Sequence, residues 1–270
     1  MEEITSRNIM VGIKGAGEMA SGVAWRLWQA NIRRIFMLEV PQSLAVRRKV
    51  SFCEAIYDGM IEVDGVPACL VESAAGIYRA WEKGCIAVSV DPGWKLIAEM
   101  APQVVIDAII AKRNLGTRIN DAPLVIGLGP GFTSGEDVHM VIETNRGHNL
   151  GRVLVVGAAE ANTGIPGEIG GYSTERVLRA PGPGIFRALK RIGDKVQKGE
   201  PVGDVEGREV AAGITGVIRG LLRDGTEVDR GAKLGDIDPR GDAGYCYTVS
   251  DKALAIGGAT LEAILRVYNQ

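Results

Sequence analysis

The feature that most constrains the fold of this 270-residue chain is an alternation of short apolar runs with helical patterns. Six runs in the first two thirds of the chain are apolar on both faces, as buried strands of a parallel sheet are. They cover residues 9–13, 35–39, 86–90, 104–109, 124–128 and 153–156. Helical spacing fills much of the chain between them. We therefore predict a Rossmann-like, doubly wound α/β domain over residues 1–172.

An internal repeat with an offset of 32 residues marks the next part of the chain, where residues 184–205 align with residues 216–237. Each half reads as strand, glycine turn, bend and strand, which resembles the barrel-sandwich hybrid of biotinyl and lipoyl carrier domains. Those domains carry a modified lysine between the halves, but residues 207–215 contain no lysine. We predict a barrel-sandwich hybrid over residues 173–249 that serves packing or oligomerisation, then a C-terminal helix at 250–270 that packs on the α/β domain.

Composition excludes several classes of function. A net charge of −2 argues against a nucleic-acid partner. The chain has no apolar run of about 18 residues, so we predict no membrane span. The first seven residues are acidic and polar, unlike a signal peptide, so we expect a cytoplasmic protein. Four cysteines without a C-x-x-C pair predict buried thiols rather than a redox or zinc site.

A glycine turn follows the first predicted strand and opens the first predicted helix, with the sequence Gly-Ala-Gly-Glu-Met-Ala at residues 15–20. Gly15 permits a tight turn, and Gly17 lets the backbone approach a pyrophosphate at the helix N-terminus. Glu39 ends the next strand, where an acid accepts the ribose hydroxyls of NAD. We predict that Gly15, Gly17, Glu18, Met19 and Glu39 bind a cofactor, with a turn that serves only packing as the alternative.

Polar and glycine-rich loops follow three further predicted strands. Because ligands of open α/β sheets bind at the carboxyl ends of the strands, we expect these loops to line one crevice. The glycines after the fifth strand can form a nest of N–H groups for an anion, although the loop lacks the lysine of a P-loop. The predicted cofactor-binding residues of these loops are Lys112, Asn114, Gly129, Gly131, Thr133, Asn162, Thr163 and Gly164.

Both histidines of the chain lie close together in sequence, after the glycine-rich loop. In a predicted strand over residues 138–144, Asp137, His139 and Glu143 share one face, and His148 follows in a turn. Such a face could act as acid and base, or bind a divalent metal. We predict Asp137, His139, Glu143 and His148 as catalytic residues. For metal binding we favour a solvated polar face, and we predict no metal site.

Several long motifs resemble the selenium-dependent molybdenum hydroxylase accessory protein family (YqeB-like). They lie at residues 15–22, 51–59, 107–117, 127–139, 143–151 and 162–167 and span nearly the whole chain. The Rossmann-like part also resembles the xanthine dehydrogenase accessory factors, which handle the molybdenum cofactor before insertion. The resemblance implies a molybdenum hydroxylase of the xanthine dehydrogenase type as partner. It implies no established reaction and no catalytic residues.

These observations lead to three hypotheses. The first is an accessory or maturation factor of a selenium-dependent molybdenum hydroxylase that binds a nucleotide or phosphorylated cofactor in a glycine-lined crevice. NAD(P) and a molybdopterin-type nucleotide are both candidates for that cofactor. The second is an NAD(P)-dependent oxidoreductase with His139 or Lys112 as proton donor. The third is a non-catalytic scaffold that docks the hydroxylase. Whether the chain is an enzyme stays open, and a homo-oligomer is compatible with all three.

Overall fold

The structure is a computed structural model that describes residues 8–269. Residues 1–7, which carry the acidic amino terminus discussed above, and residue 270 lie outside the described residues. The chain divides into two units that interleave in sequence. The first unit comprises the described parts of Met1–Ser43, Ser51–Asn162 and Val249–Gln270, and the second comprises Leu44–Val50 and Thr163–Thr248.

The first unit contains eleven strands and five α-helices within its described residues. The strands are β1 Met10–Lys14, β2 Arg34–Glu39, β3 Met60–Val63, β4 Val66–Leu70, β5 Ile86–Val90, β6 Val104–Asp107, β7 Leu124–Leu128, β8 Thr133–Ser134, β9 Met140–Ile142, β10 Val153–Leu154 and β11 Gly157–Ala158. The helices are α1 Glu18–Gln29, α2 Ala55–Asp58, α3 Ala74–Glu82, α4 Lys95–Met100 and α5 Asp251–Tyr268. Short 3-10 helices occupy Phe52–Glu54 and Ile119–Asp121.

Nine of these strands form one mixed sheet in the order β10-β9-β7-β6-β1-β2-β5-β4-β3. Neighbouring strands from β9 to β4 are parallel, whereas β10 and β3 pair antiparallel at the two edges. The central strands are buried on both faces, which explains why their sequences are apolar without alternation. Strands β8 and β11 form a separate two-stranded antiparallel sheet.

The predicted fold class is wrong. A doubly wound Rossmann sheet is parallel and places a helix in each crossover, but here both edges are antiparallel, and residues 108–123 and 129–139 contain no α-helix. Glycines and left-handed backbone in these two segments interrupt helix formation, for example at Ile110, Lys112, Gly129 and Gly131. The protein is instead a mixed nine-stranded sheet with separate antiparallel sheets and few helices, rather than a Rossmann-like domain joined to a barrel-sandwich hybrid.

Helix α5 packs against α1 through small residues. A Cβ atom at Gly22 would lie 2.6 Å from the Cβ of Ala253, and one at Gly257 would lie 2.8 Å from the Gly22 carbonyl oxygen. Glycine at both positions therefore lets the two backbones approach closely. The contact also brings the N-termini of the helices together, because the Ser250 hydroxyl donates a 2.9 Å hydrogen bond to the Glu18 carboxylate.

The second unit consists of two four-stranded antiparallel sheets, ordered β12-β19-β17-β14 and β16-β15-β13-β18. Its strands are β12 Val177–Arg179, β13 Gly184–Ala188, β14 Lys195–Val196, β15 Pro201–Val205, β16 Arg208–Ala211, β17 Gly216–Leu221, β18 Glu227–Val228 and β19 Lys233–Asp238. Short 3-10 helices occupy Arg48–Val50 and Ala243–Cys246. The internal repeat recurs here, because β13, β14 and β15 begin 32 residues before β17, β18 and β19. The middle strand of each half pairs with the first strand of the other half: β14 pairs with β17, and β18 pairs with β13.

The order of the large sheet reverses at β1. From β1 the chain first fills the side that holds β2, β5, β4 and β3, and then continues on the other side through β6, β7, β9 and β10. The loops after β1 and β6 therefore diverge at the carboxyl ends of these strands. Ligands of open α/β sheets bind in the crevice at such a point. Among the described residues, every helix is too short or too polar to cross a bilayer.

Candidate functional site

The glycine turn after β1 has one glycine that the fold requires and one that faces open space. Gly15 has a φ of +95°, and a Cβ there would lie 3.3 Å from the backbone of Ala108. Gly17 has a φ of −72°, and no described atom other than those of its two chain neighbours lies within 4 Å of a Cβ built on it. Glu18 and Met19 follow in the first turn of α1, both half-buried. The turn thus presents the start of a twelve-residue helix to an open space.

Glu39, at the end of β2, is hydrogen-bonded to this turn. One carboxylate oxygen accepts the Ala16 N–H at 2.9 Å, and the other accepts the Val40 N–H at 2.9 Å. Burial raises the pKa of Glu39, while these two hydrogen bonds act in the opposite direction. Glu39 and Gly15 line a cavity of about 240 Å³. The other lining residues are Leu38, Val40, Pro92, Trp94, Ile109 and Leu115. We call this the Glu39 cavity.

A second cavity of about 440 Å³ lies at the same crevice, and Trp94 lines both. Its lining is more polar. The lining residues are Lys14, Gly93, Trp94, Ile97, Ala98, Gly116, Arg118, Asn120 and Asp121. We call this the Lys14 cavity. Trp94 precedes α4 in a left-handed conformation with a φ of +55°, which is uncommon for a bulky residue.

Lys14 is a buried cation that the sequence reasoning missed. Its ammonium donates to the Thr117 hydroxyl at 2.9 Å and to the Asp121 carboxylate at 2.7 Å, and lies 4.2 Å from the centre of the Trp94 ring. Thr117 in turn donates to Asp107 at 2.6 Å. Lys14 and Asp107 are 1% and 2% exposed, and burial raises the pKa of Asp107. In the sequence, Lys14 is recognisable only as a charged residue at the end of an otherwise apolar strand.

The loop after β6 holds two of the predicted residues in different roles. Lys112 is exposed, has a φ of +62° and lines neither cavity. Asn114 folds the loop, because its carbonyl oxygen accepts the N–H groups of Gly116 and Thr117 at 2.8 Å. Its amide nitrogen also donates to Asp137 at 3.2 Å. Asn114 and Asp137 are therefore connected, and both support the loop that carries Thr117.

Backbone N–H groups of the glycine-rich loop after β7 donate hydrogen bonds to acceptors within the protein. Gly129 donates to the Ile142 carbonyl at 2.8 Å, and Thr133 donates to the Asp137 carboxylate at 2.8 Å. A Cβ at Gly131 would lie 2.6 Å from the Cα of Arg113. The glycines of this loop therefore allow close packing between loops. Because the N–H groups of Gly129 and Thr133 are already hydrogen-bonded within the protein, fewer N–H groups of the loop can bind an anion than the sequence predicted.

His139 and Glu143 lie at opposite ends of β9. Four residue-to-residue steps along the extended chain separate them by about 13 Å, at about 3.3 Å per step. The His139 ring accepts the Val125 N–H at 3.0 Å near the amino end of β7. Glu143 is buried at the carboxyl end, where it accepts the N–H groups of Asn145 and Glu160 at 2.6 and 2.7 Å. The structure thus does not gather these two residues into one cluster.

The other predicted residues lie in loops. His148 is exposed in the turn after Gly147. Asn162, Thr163 and Gly164 are exposed where the chain passes from the first unit to the second, and the Thr163 hydroxyl accepts the Ile165 N–H at 3.3 Å. Among residues 8–269, no group of three or more histidine, cysteine and acidic side chains is placed to hold a metal ion.

Comparison with known proteins shows one close similarity of sequence. No family model matches the chain. The chain is 49% identical over 261 residues to the uncharacterized protein YqeB of Escherichia coli K12, a match that covers 97% of this chain and 48% of YqeB. The chain therefore spans about half the length of that relative. The two proteins are homologous over the matched region.

Three solved structures show weak likenesses to this chain. A succinylglutamate desuccinylase/aspartoacylase from Rhodobacter sphaeroides is 24% identical over 24% of this chain and 22% of its own, with a TM-score of 0.21. The ectoine utilization protein EutE (DoeB) from Ruegeria pomeroyi, with product bound, is 11% identical over 84% and 56%, with a TM-score of 0.24. An aspartoacylase family protein from Mesorhizobium loti is 10% identical over 84% of both chains, with a TM-score of 0.28. TM-scores this low do not establish a common fold.

Proposed function

We propose that this protein binds a nucleotide or another phosphorylated cofactor at the glycine turn after β1. The observation that carries this proposal is the open space over Gly17 beside the Glu39 cavity, at the carboxyl ends of β1 and β2. A phosphate placed there meets the first N–H groups of α1 and the positive end of the helix dipole. The base or ring of the cofactor then lies in the Glu39 cavity.

The lining of the Glu39 cavity suits a ring joined to a sugar or diol. Leu38, Ile109 and Leu115 provide apolar walls for the ring. A carboxylate has about four acceptor positions, and Ala16 and Val40 use two at Glu39, so the others are available for hydroxyl groups of the ligand. The negative charge of Glu39 disfavours a phosphate at the same place, which favours NAD over NADP. A molybdopterin-type nucleotide belongs to the same chemical class.

Substitution of Gly17 tests this proposal without disturbing the fold. The φ of −72° suits any residue, and a side chain at this N-cap position has room. Gly17→Asp places a carboxylate over the N–H groups that a phosphate would use, whereas Gly17→Asn caps the helix with a neutral group of the same shape. We expect titration calorimetry to detect binding of AMP, ADP-ribose or NAD to the wild type, a loss of at least about tenfold in Gly17→Asp, and a smaller loss in Gly17→Asn.

Two results would contradict the proposal. One is the absence of binding of all three nucleotides at millimolar concentration. The other is equal affinity in the wild type and in Gly17→Asp, provided that urea denaturation shows both to be folded. A nucleotide that binds elsewhere on the chain produces this second result.

For the biological role, we propose maturation of a selenium-dependent molybdenum hydroxylase. The motifs at residues 107–117, 127–139 and 143–151 support this role through their resemblance to the accessory family. In the source organism, deletion of the gene is expected to lower the activity of the hydroxylase. The Gly17→Asn variant should restore that activity and Gly17→Asp should not. Normal hydroxylase activity in the deletion strain would exclude the role while leaving nucleotide binding intact.

A further inference from the structure

We propose that the Lys14 cavity is a second binding site, for a small carboxylate whose body is a flat apolar ring. This site is separate from the Glu39 cavity, although the two share Trp94. It would receive a second ligand beside the cofactor. Its test does not depend on nucleotide binding.

A buried polar chain of hydrogen-bonded side chains lies under this cavity. The hydrogen bonds run from Asp107 through Thr117 to Lys14 and Asp121, and the first three side chains are almost fully buried. A buried ion pair is often no more stabilising than apolar residues of the same volume, so it is weak as a stabilising device. A cluster of this kind at a cavity, with a raised pKa at Asp107, is typical of a functional site.

The backbone beside the cavities is strained at two residues. Trp94 and Ile110 both have left-handed conformations, with φ of +55° and +58°. This conformation is strained for a bulky or β-branched residue and persists only where the surroundings hold it. Trp94 forms a wall of the Lys14 cavity, whereas Ile110 follows Ile109 of the Glu39 cavity and bears only on that site. Strained residues of this kind cluster at ligand sites.

The lining determines the chemistry of the ligand. Lys14 and Arg118 are cationic and Asp121 is anionic, so the cavity favours a negative group. Arg118 and Asn120 are exposed and carry side-chain N–H donors. Trp94 provides a flat aromatic wall against which a ring can stack. The guanidinium of Arg118 matches a carboxylate in geometry. The Lys14 ammonium is already paired with Asp121, so Arg118 is the cation that the ligand would pair with.

Benzoate is a suitable probe, with benzamide as its neutral counterpart of nearly the same shape. We expect benzoate to bind the wild type at least about tenfold more tightly than benzamide, because only benzoate has a negative charge to pair with Arg118. Acetate, which lacks the ring, should bind more weakly than benzoate. The chain has four tryptophans. The change in fluorescence on adding benzoate should vanish in Trp94→Phe, which places the ligand beside Trp94. Because Trp94 lines both cavities, a variant of Arg118, which lines only the Lys14 cavity, decides between them.

Variants of the cations complete the test. Arg118→Ala removes an exposed side chain and should weaken benzoate binding at least about tenfold. Lys95→Ala is the matched control, because Lys95 is exposed beside Trp94 and lines neither cavity, and it should leave the affinity unchanged. Gly17→Asp should also bind benzoate normally, which separates this site from the nucleotide site. Equal affinity for benzoate and benzamide, or undiminished binding in Arg118→Ala, would overturn the proposal.

Discussion

We expect the same substitution, glycine to alanine, to have opposite effects on stability at two adjacent glycines of α5. Alanine in a helix interior is favoured over glycine by about 1 kcal/mol, and this gain applies to Gly257 and Gly258 alike. At Gly258 no described atom other than those of the adjacent residues and the backbone of α5 lies within 4 Å of the new Cβ, so the gain stands. At Gly257 the Cβ would lie 2.8 Å from the Gly22 carbonyl oxygen and 2.9 Å from the Arg26 Cβ. Overpacking of this kind destabilises by about 1–3 kcal/mol.

We therefore expect Gly258→Ala to raise the free energy of unfolding by about 1 kcal/mol and Gly257→Ala to lower it by about 1 kcal/mol. Urea denaturation followed by circular dichroism measures both values, and the difference between them isolates the cost of separating α5 from α1. If both variants gain stability equally, the close approach of the two helices is wrong. The neighbouring positions of the N-termini of α1 and α5 would then be in doubt as well.

Two further predictions concern buried charges. Because burial raises the pKa of Asp107 above 3.8, its contribution to stability is full below that pH and is lost as the pH rises through the raised pKa. The unfolding free energy of the wild type relative to Asp107→Asn should therefore fall with rising pH in that window, by up to about 1.4 kcal/mol per pH unit, and a constant difference would contradict this. In the second unit, Arg176 pairs with Asp236 at 2.9 Å, both buried. Arg176→Met should cost about 3–5 kcal/mol in urea denaturation, and the double variant Arg176→Met/Asp236→Leu should recover much of it, whereas equal losses would show that the pair carries no coupling.

The sequence predicted the strands that are buried on both faces. The run at residues 35–39 corresponds to β2 Arg34–Glu39, and the run at 124–128 corresponds to β7 Leu124–Leu128. These strands are recognisable because a strand that is covered on both faces is apolar throughout. The glycine turn at residues 15–20 was predictable for the same local reason, since its spacing reflects the geometry of a strand that turns into a helix.

The Lys14 cavity was not predictable from local patterns. The contact of Lys14 with Thr117 joins residues 103 positions apart, and only the folded chain brings them together. The prediction for His139 and Glu143 had a different weakness. Side-chain alternation places residues on one face of a strand, but it does not bring them close to each other.

The central claim is that the glycine turn and the Glu39 cavity hold a phosphorylated cofactor. Mass spectrometry of the small molecules released by denaturing the protein, purified from its own source, tests this most directly. The Gly17→Asp variant, purified in parallel, serves as the control. We predict that the wild type releases a phosphorylated heterocyclic compound that is missing from Gly17→Asp. The same compound in equal amount from both proteins, or an unphosphorylated compound in its place, would contradict the claim.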